Sequence, residues 1–158
     1  MTVHFYIEIF SGSGRLAHAI SKCTGQLCLL WDISLGSNYD LTNRKNVQII
    51  IDWIRAGIVI GCHLGTECKS FSRARDRPNG PPRLRSNEFP LGLPDIVNPG
   101  DRMKVQIGNI LMRVSVRIFH TCLQHRTPVT LENLAGSRLR LCPGVQQLLR
   151  NKQCYLAT

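Results

Sequence analysis

Apolar and polar positions follow two rhythms along this chain, and the rhythm changes at glycines. Residues 3–10 are β-branched and aromatic, with the acid Glu8 set inside the run, and predict a first, mostly buried strand. Ser11-Gly12-Ser13-Gly14 breaks that run, after which Leu16, Ala19 and Ile20 recur at helical spacing over residues 15–23. A second buried strand is predicted over 27–33, where Asp32 closes the apolar run, and a short third strand over 38–41 with Asp40 at its mouth. Thr42 or Asn43 is placed to cap a helix whose stripe is Val47, Ile50, Ile51 and Ile54. Residues 58–62 read as one more buried strand.

From residue 64 to about 100 no period is visible, and loops of that length inside a domain are usually functional or disordered. Helical periodicity returns over 102 to about 125, carried by Val105, Ile107, Ile110, Leu111, Val114 and Ile118. A short strand over 128–131, a helical stretch over 136–150 interrupted near Pro143, and the start of a last strand over 153–157 complete the pattern. Strands alternate with helices, which predicts an α/β fold with a mainly parallel sheet. At 158 residues the expectation is one domain spanning 1–158, with a long basic loop at about 64–101.

Charge adds a partner class to this picture. Twenty Lys and Arg against ten Asp and Glu give a net charge of +10, which favours an anionic partner such as nucleic acid. Between Lys69 and Arg85 the unpatterned segment holds Lys69, Arg73, Arg75, Arg77, Arg83 and Arg85 against the single acid Asp76, a composition suited to phosphate neutralisation. From charge alone, a solvated flexible loop is the better account. Seven cysteines without a C-x-x-C pair, and no secretory pattern at the start, point to a reduced intracellular compartment, nuclear in a eukaryote, and to no metal site. No apolar run reaches the roughly 18 residues of a membrane span.

Gly12 and Gly14 let the backbone turn tightly between strand and helix, and the helix start offers unpaired N–H groups to a carboxylate or phosphate. A plain strand-to-helix turn explains them equally well. Asp32 falls 18 residues after Gly14, close to the spacing at which an acid meets a ribose diol, although a strand-end Asp also commonly starts a turn.

Three separated stretches then line up with one family. Glu8-Ile9-Phe10-Ser11-Gly12-Ser13-Gly14, Gly65-Thr66-Glu67-Cys68-Lys69-Ser70-Phe71-Ser72 and Leu131-Glu132-Asn133 resemble, in this order, the cofactor motif, the nucleophile loop and the Glu-Asn motif of the cytosine-5 DNA methyltransferases. The likeness runs from about Tyr6 to Leu134 and covers that family's cofactor-binding and catalytic half. It implies a Rossmann-like methyltransferase fold with helices on both faces of the sheet, truncated at the C-terminus, where neither a target-recognition region nor the family's later motifs are found. It also implies S-adenosylmethionine as cofactor and DNA, with the target base flipped out or single-stranded, as partner.

By the same resemblance Cys68 is the thiolate that adds to carbon 6 of cytosine, and Glu132 hydrogen-bonds or protonates ring nitrogen 3. Glu8, Phe10, Gly12 and Gly14 line the cofactor motif, with Asp32 at the ribose hydroxyls and Asp40 near the adenine amine. Arg73, Arg75, Arg77 and Asn133 are the expected nucleic-acid contacts. Glu67 stands where the family has proline, and a carboxylate beside a thiol raises the thiol pKa. Gly108-Asn109 precedes Glu132, out of order for the family's C-terminal Gly-Asn, and is read as helix packing. The expected function is thus transfer of a methyl group to carbon 5 of cytosine. The alternatives are a catalytically inactive methyltransferase-fold fragment that binds DNA, and an unrelated Rossmann-type nucleotide-binding domain.

The remaining residues read as structure. Cys28, Cys62 and Cys122 sit in apolar surroundings and, with the other three cysteines, are expected to pack the core. Trp31 and Trp53 are expected there too, and His63 and His120 show no partner in sequence.

Overall fold

Four short apolar runs pair side by side in the same direction, and helices cover the sheet they form. The computed structural model describes residues 2–67 and 69–157 and groups them into two units, residues 1–66 with 117–132, and residues 67–116 with 133–158. Cys68 lies outside the described residues.

The first unit holds the sheet. Strands β1 (Phe5–Ile9), β2 (Cys28–Trp31), β3 (Val59–Gly65) and β4 (Val129–Glu132) run parallel in the order β2-β1-β3-β4. β1 is central, which is why its sequence is nearly continuous in apolar residues: Phe5, Ile7 and Ile9 are buried, and so is Glu8. Register assigns the two faces. Ile7 pairs with Leu29 and Cys62, and Ile9 pairs with Trp31 and Leu64, so these share one face. That face meets helix α2 (Arg44–Arg55), where the Trp53 ring lies edge-on to Phe5 and Trp31 at 5.4 and 5.7 Å. It also meets the last third of helix α3 (Pro99–Gln124), through Cys122, whose sulfur hydrogen-bonds with Cys62. The opposite face presents Tyr6 and Glu8 beside Cys28 and Leu30, under helix α1 (Arg15–Thr24).

Local chemistry sets the helix ends. Asn43 caps α2 by accepting the Lys45 N–H at 3.0 Å, and Val47, Ile50, Ile51 and Ile54 are buried as the stripe requires. α1 lies between left-handed glycines at 14 and 25 and has no side-chain cap; it buries Ala17, whereas Leu16 and Ala19 stay exposed.

The second unit contains the unpatterned segment from Glu67 onward, which includes a 3-10 turn at Arg73–Asp76. The first two thirds of α3, a 3-10 turn at Arg138–Leu141 and helix α4 (Pro143–Leu149) complete it. Pro143 starts α4 where its missing N–H costs nothing.

Two expected strands are absent. Residues 38–41 contain the end of a 3-10 turn, Ser37–Tyr39, because Asp40 folds its carboxylate onto the backbone N–H and hydroxyl of Thr42 instead of extending the chain. Residues 153–157 form no strand; Asn151 accepts the Gln153 N–H and closes a turn there. Among the described residues no helix is long and apolar enough to cross a membrane.

Ile50, fully buried on α2, and its exposed neighbour Ile49 allow a direct test of the packing. Ile50→Ala is expected to cost about 2–5 kcal/mol in urea denaturation, whereas Ile49→Ala stays within about 0.5 kcal/mol.

Candidate functional sites

In the first unit, the backbone leaves β1 through a conformation that few residues tolerate. Phe10 has φ +60, Gly12 +52 and Gly14 +68, so three of five consecutive residues are left-handed. Glycine adopts this without penalty, and Phe10 adopts it at a cost of order 1–3 kcal/mol. The result is a turn that brings the Gly12 N–H to the acid at the end of β2. Asp32, at the end of β2, accepts the Gly12 N–H at 3.0 Å with Oδ2, while its Oδ1 accepts from the Ser34 N–H and hydroxyl at 2.9 and 2.7 Å. Glu8, one turn of strand earlier, accepts the Ala17 N–H at 2.7 Å and so joins β1 to the first turn of α1. Above Gly12 there is open space, with no atom within 4 Å of where a Cβ would stand. Ser11 is buried, and its Oγ finds no hydrogen-bond partner among the described residues.

The turn occupies the place where strand order reverses, between β1 and β3, which is where ligands bind in open parallel sheets. Next to β2, a concavity of about 400 Å³ is lined by Leu29, Trp31, Tyr39, Asn46, Ile49 and Trp53. Its apolar, aromatic wall takes a flat uncharged ring better than a phosphate. Asp40, just beyond Tyr39, has its Oδ1 bound by Thr42.

Glu132 ends β4 and is exposed. Its Oε2 lies 3.4 Å from Nε2 of His63, whose Nδ1 in turn lies 2.7 Å from Thr130 Oγ1. The register places these residues side by side on one sheet face, so His63, which shows no partner in sequence, has two.

The second unit holds the residues that follow Cys68. Glu67 turns its carboxylate forward to accept the Lys69 N–H at 2.5 Å. The basic segment is largely tied to itself. Asp76 sits between Arg138 at 2.6 Å and Arg83 at 3.0 Å, and these cations, Arg138 above all, hold its carboxyl below the ordinary value against the opposing effect of burial. Arg75, half-buried, donates to the carbonyls of Pro82 at 2.8 Å and Lys69 at 3.4 Å. Arg73 is exposed and reaches Asn87 at 3.5 Å, and Arg77 is exposed. Asn133, half-buried, begins the segment that leads to Arg138.

Arg85 is the exception in the basic run. It is 1% exposed, with its guanidinium 3.7 Å above the Phe71 ring. The charge pattern alone does not reveal this, because an internal cation carries the same letter as a solvated one. The available signal was Gly108-Asn109 inside an apolar helix, since these are the residues it packs against.

The remaining cysteines divide. Cys62, Cys122 and Cys142 are buried, Cys28 and Cys154 are half-buried, and Cys23 is exposed, so core packing does not hold for Cys23. Burial pushes the Cys142 thiol up to about 11, and Cys62 is raised by its hydrogen bond to Cys122 and by burial, so both stay protonated near neutrality. Among the described residues no group of three or more His, Cys, Asp or Glu could hold a metal ion. No family model, curated protein or solved structure matches this chain.

The Asp76 cluster makes a sign-definite prediction. A carboxyl depressed by folding contributes stability that is complete above its unfolded pKa of about 4 and is lost as pH falls through the lower folded value. Asp76→Asn is therefore expected to destabilise the protein near pH 7 and to converge on wild type on acidification below about 4. Urea midpoints of both proteins across that range check it.

Proposed function

We propose that this chain is an S-adenosylmethionine-binding, cytosine-5 DNA methyltransferase-like protein with a Rossmann-like methyltransferase fold. The observation that carries the reading is the left-handed Phe10–Gly14 turn closed onto Asp32 at the switch point of a parallel sheet. The residues present suit the cofactor. Open space over Gly12, the unpartnered Ser11 hydroxyl and the acidic end of β2 form a polar cradle, and the aromatic concavity beside β2 suits a purine.

When bound, the cofactor supplies an electrophilic methyl group. The chain's own residues supply the rest. Gly12, with open space above it, admits the ligand close to the backbone, Gly14 turns the chain against Leu30, and the Asp32 carboxylate takes the ribose hydroxyls. Cys68 adds to carbon 6 of the target cytosine as thiolate, which makes carbon 5 nucleophilic. Glu132 meets the charge that develops at ring nitrogen 3, with His63 fixing the orientation of its carboxyl group. Arg73 and Arg77, exposed on the basic segment, neutralise DNA phosphates, whereas Arg75 contributes mainly by holding the segment's shape.

Calorimetric titration tests the cofactor half. S-adenosylmethionine is expected to bind the wild-type chain and to bind Asp32→Ala about tenfold or more weakly. A folded wild-type protein that takes up no cofactor ends the methyltransferase reading. Oligonucleotides containing 5-fluorocytosine test the chemistry, with a covalent adduct expected for wild type and none for Cys68→Ser.

A further inference from the structure

The basic segment contains a cation that cannot be reading phosphate. Arg85 is enclosed, and its four Nη hydrogen bonds go to neutral groups on three separate stretches of the second unit. Nη1 donates to the Pro90 carbonyl at 2.7 Å and to Asn109 Oδ1 at 2.8 Å; Nη2 donates to Ser70 Oγ at 3.0 Å and to the Val105 carbonyl at 3.2 Å. The guanidinium plane stacks on Phe71. Its Nε finds no acceptor among the described residues.

Space has been left for this arrangement. Gly108 lies under it on α3, where a Cβ would collide with Ser70 Oγ and come within 2.9 Å of Arg85 Nη2 and 3.4 Å of the Phe71 ring. Asn109, the next residue, faces both ways: Oδ1 accepts from Arg85, and Nδ2 donates to the Leu91 carbonyl at 2.7 Å.

A buried cation is expensive, and one whose acceptors among the described residues are neutral is a poor way to gain stability. Burial lowers the Arg85 pKa to about 10, with the charge of Glu67 and the neighbouring Cys142 acting against the drop, so the group remains charged near neutrality. The Cys142 thiol is protonated there and does not neutralise it. A guanidinium provides what an apolar residue of the same volume cannot, a planar fork whose donors fix several backbone segments in one geometry. Two of the groups it fixes, Ser70 and Phe71, stand two and three residues after Cys68 in the chain.

We propose that Arg85 is the positioning residue of the nucleophile loop: clamped between α3 and the Pro90 segment, it holds Ser70 and Phe71, two and three residues after Cys68 in the chain, and thereby orders the segment that follows the nucleophile. This rests on the methyltransferase reading for the role of Cys68, while the ordering of the loop stands on the contacts alone. Arg85 touches neither cofactor nor base; it acts through the loop.

The test compares Arg85→Lys, Arg85→Met, Ser70→Ala and Gly108→Ala with wild type. Cofactor affinity, read by calorimetry, is expected to stay within about twofold, because its residues belong to the first unit. Covalent capture of Cys68 on 5-fluorocytosine DNA is expected to slow by about tenfold or more in both Arg85 variants, since small misplacements of a nucleophile have effects of that size. The loss is expected in kcat with KM for DNA little changed, and Arg85→Lys, which keeps the charge, is not expected to rescue it. Trypsin cleavage after Lys69 and Arg73 is expected to accelerate in the same variants.

A folded Arg85→Met or Arg85→Lys that captures DNA at the wild-type rate overturns the proposal. If both fail to fold, Ser70→Ala and Gly108→Ala carry the same comparison, and wild-type capture by both overturns it equally. Should wild type neither bind cofactor nor capture DNA, the methyltransferase reading falls. The trypsin arm then decides the rest, and unchanged cleavage would overturn loop positioning as well.

Discussion

A carboxylate buried on the central strand of a parallel sheet must find a donor, and at Glu8 that donor is the Ala17 N–H. The strand's own ladder uses its backbone groups, so only a neighbouring element can supply one. The first turn of a helix has N–H groups without internal partners, and α1 begins six residues after β1 ends. This single bond sets where α1 sits on the sheet and hence the path of the turn between them. The left-handed Phe10, the glycines at 12 and 14, and the approach of Asp32 to the Gly12 N–H all follow from a connection that must be this short and this sharp. The chemistry of the first unit grows out of satisfying one buried charge.

The second unit poses the opposite problem, a surplus of cations in a segment with no ladder of its own. Its solution is to use some of them as internal fasteners. Arg138 and Arg83 share Asp76, Arg75 binds carbonyls, and Arg85 is enclosed altogether. The net charge of +10 therefore overstates what a polyanion meets on this loop, where Arg73 and Arg77 are the exposed members named as contacts. Composition counts charges; packing decides which of them face solvent.

Much of the first unit was legible in the chain because its signals are local. Apolar runs ending at glycine or an acid gave β1 to β4, and the spacing of Val47, Ile50, Ile51 and Ile54 gave α2 with its Asn43 cap. The third strand failed for an equally local reason that apolar patterning does not express. Short acids beside Ser and Thr fold back on the backbone, as Asp32 does on Ser34 and Asp40 on Thr42. The charge gave no clue to the Arg85 cluster because its partners, at 70, 90, 105 and 109, are neutral and all but Pro90 are distant in sequence. Pairing of opposite charges can be guessed from a sequence; a guanidinium seeking carbonyls cannot. The His63–Glu132 pair was hidden likewise, since only the register of two strands brings it together.

The two fastenings of the basic segment differ in how they respond to the surrounding solution. The Asp76 cluster is partly exposed and ionic, so added salt screens it over a Debye length of about 10 Å at 0.1 M and less above that. The Arg85 fastening is enclosed, and its acceptors carry no net charge for counterions to mask. The segment is thus hinged by ionic strength at one end and pinned at the other. Salt concentrations that strip a polyanion from its surface slacken the stretch around residues 76–83 while leaving residues 70 and 71 in place.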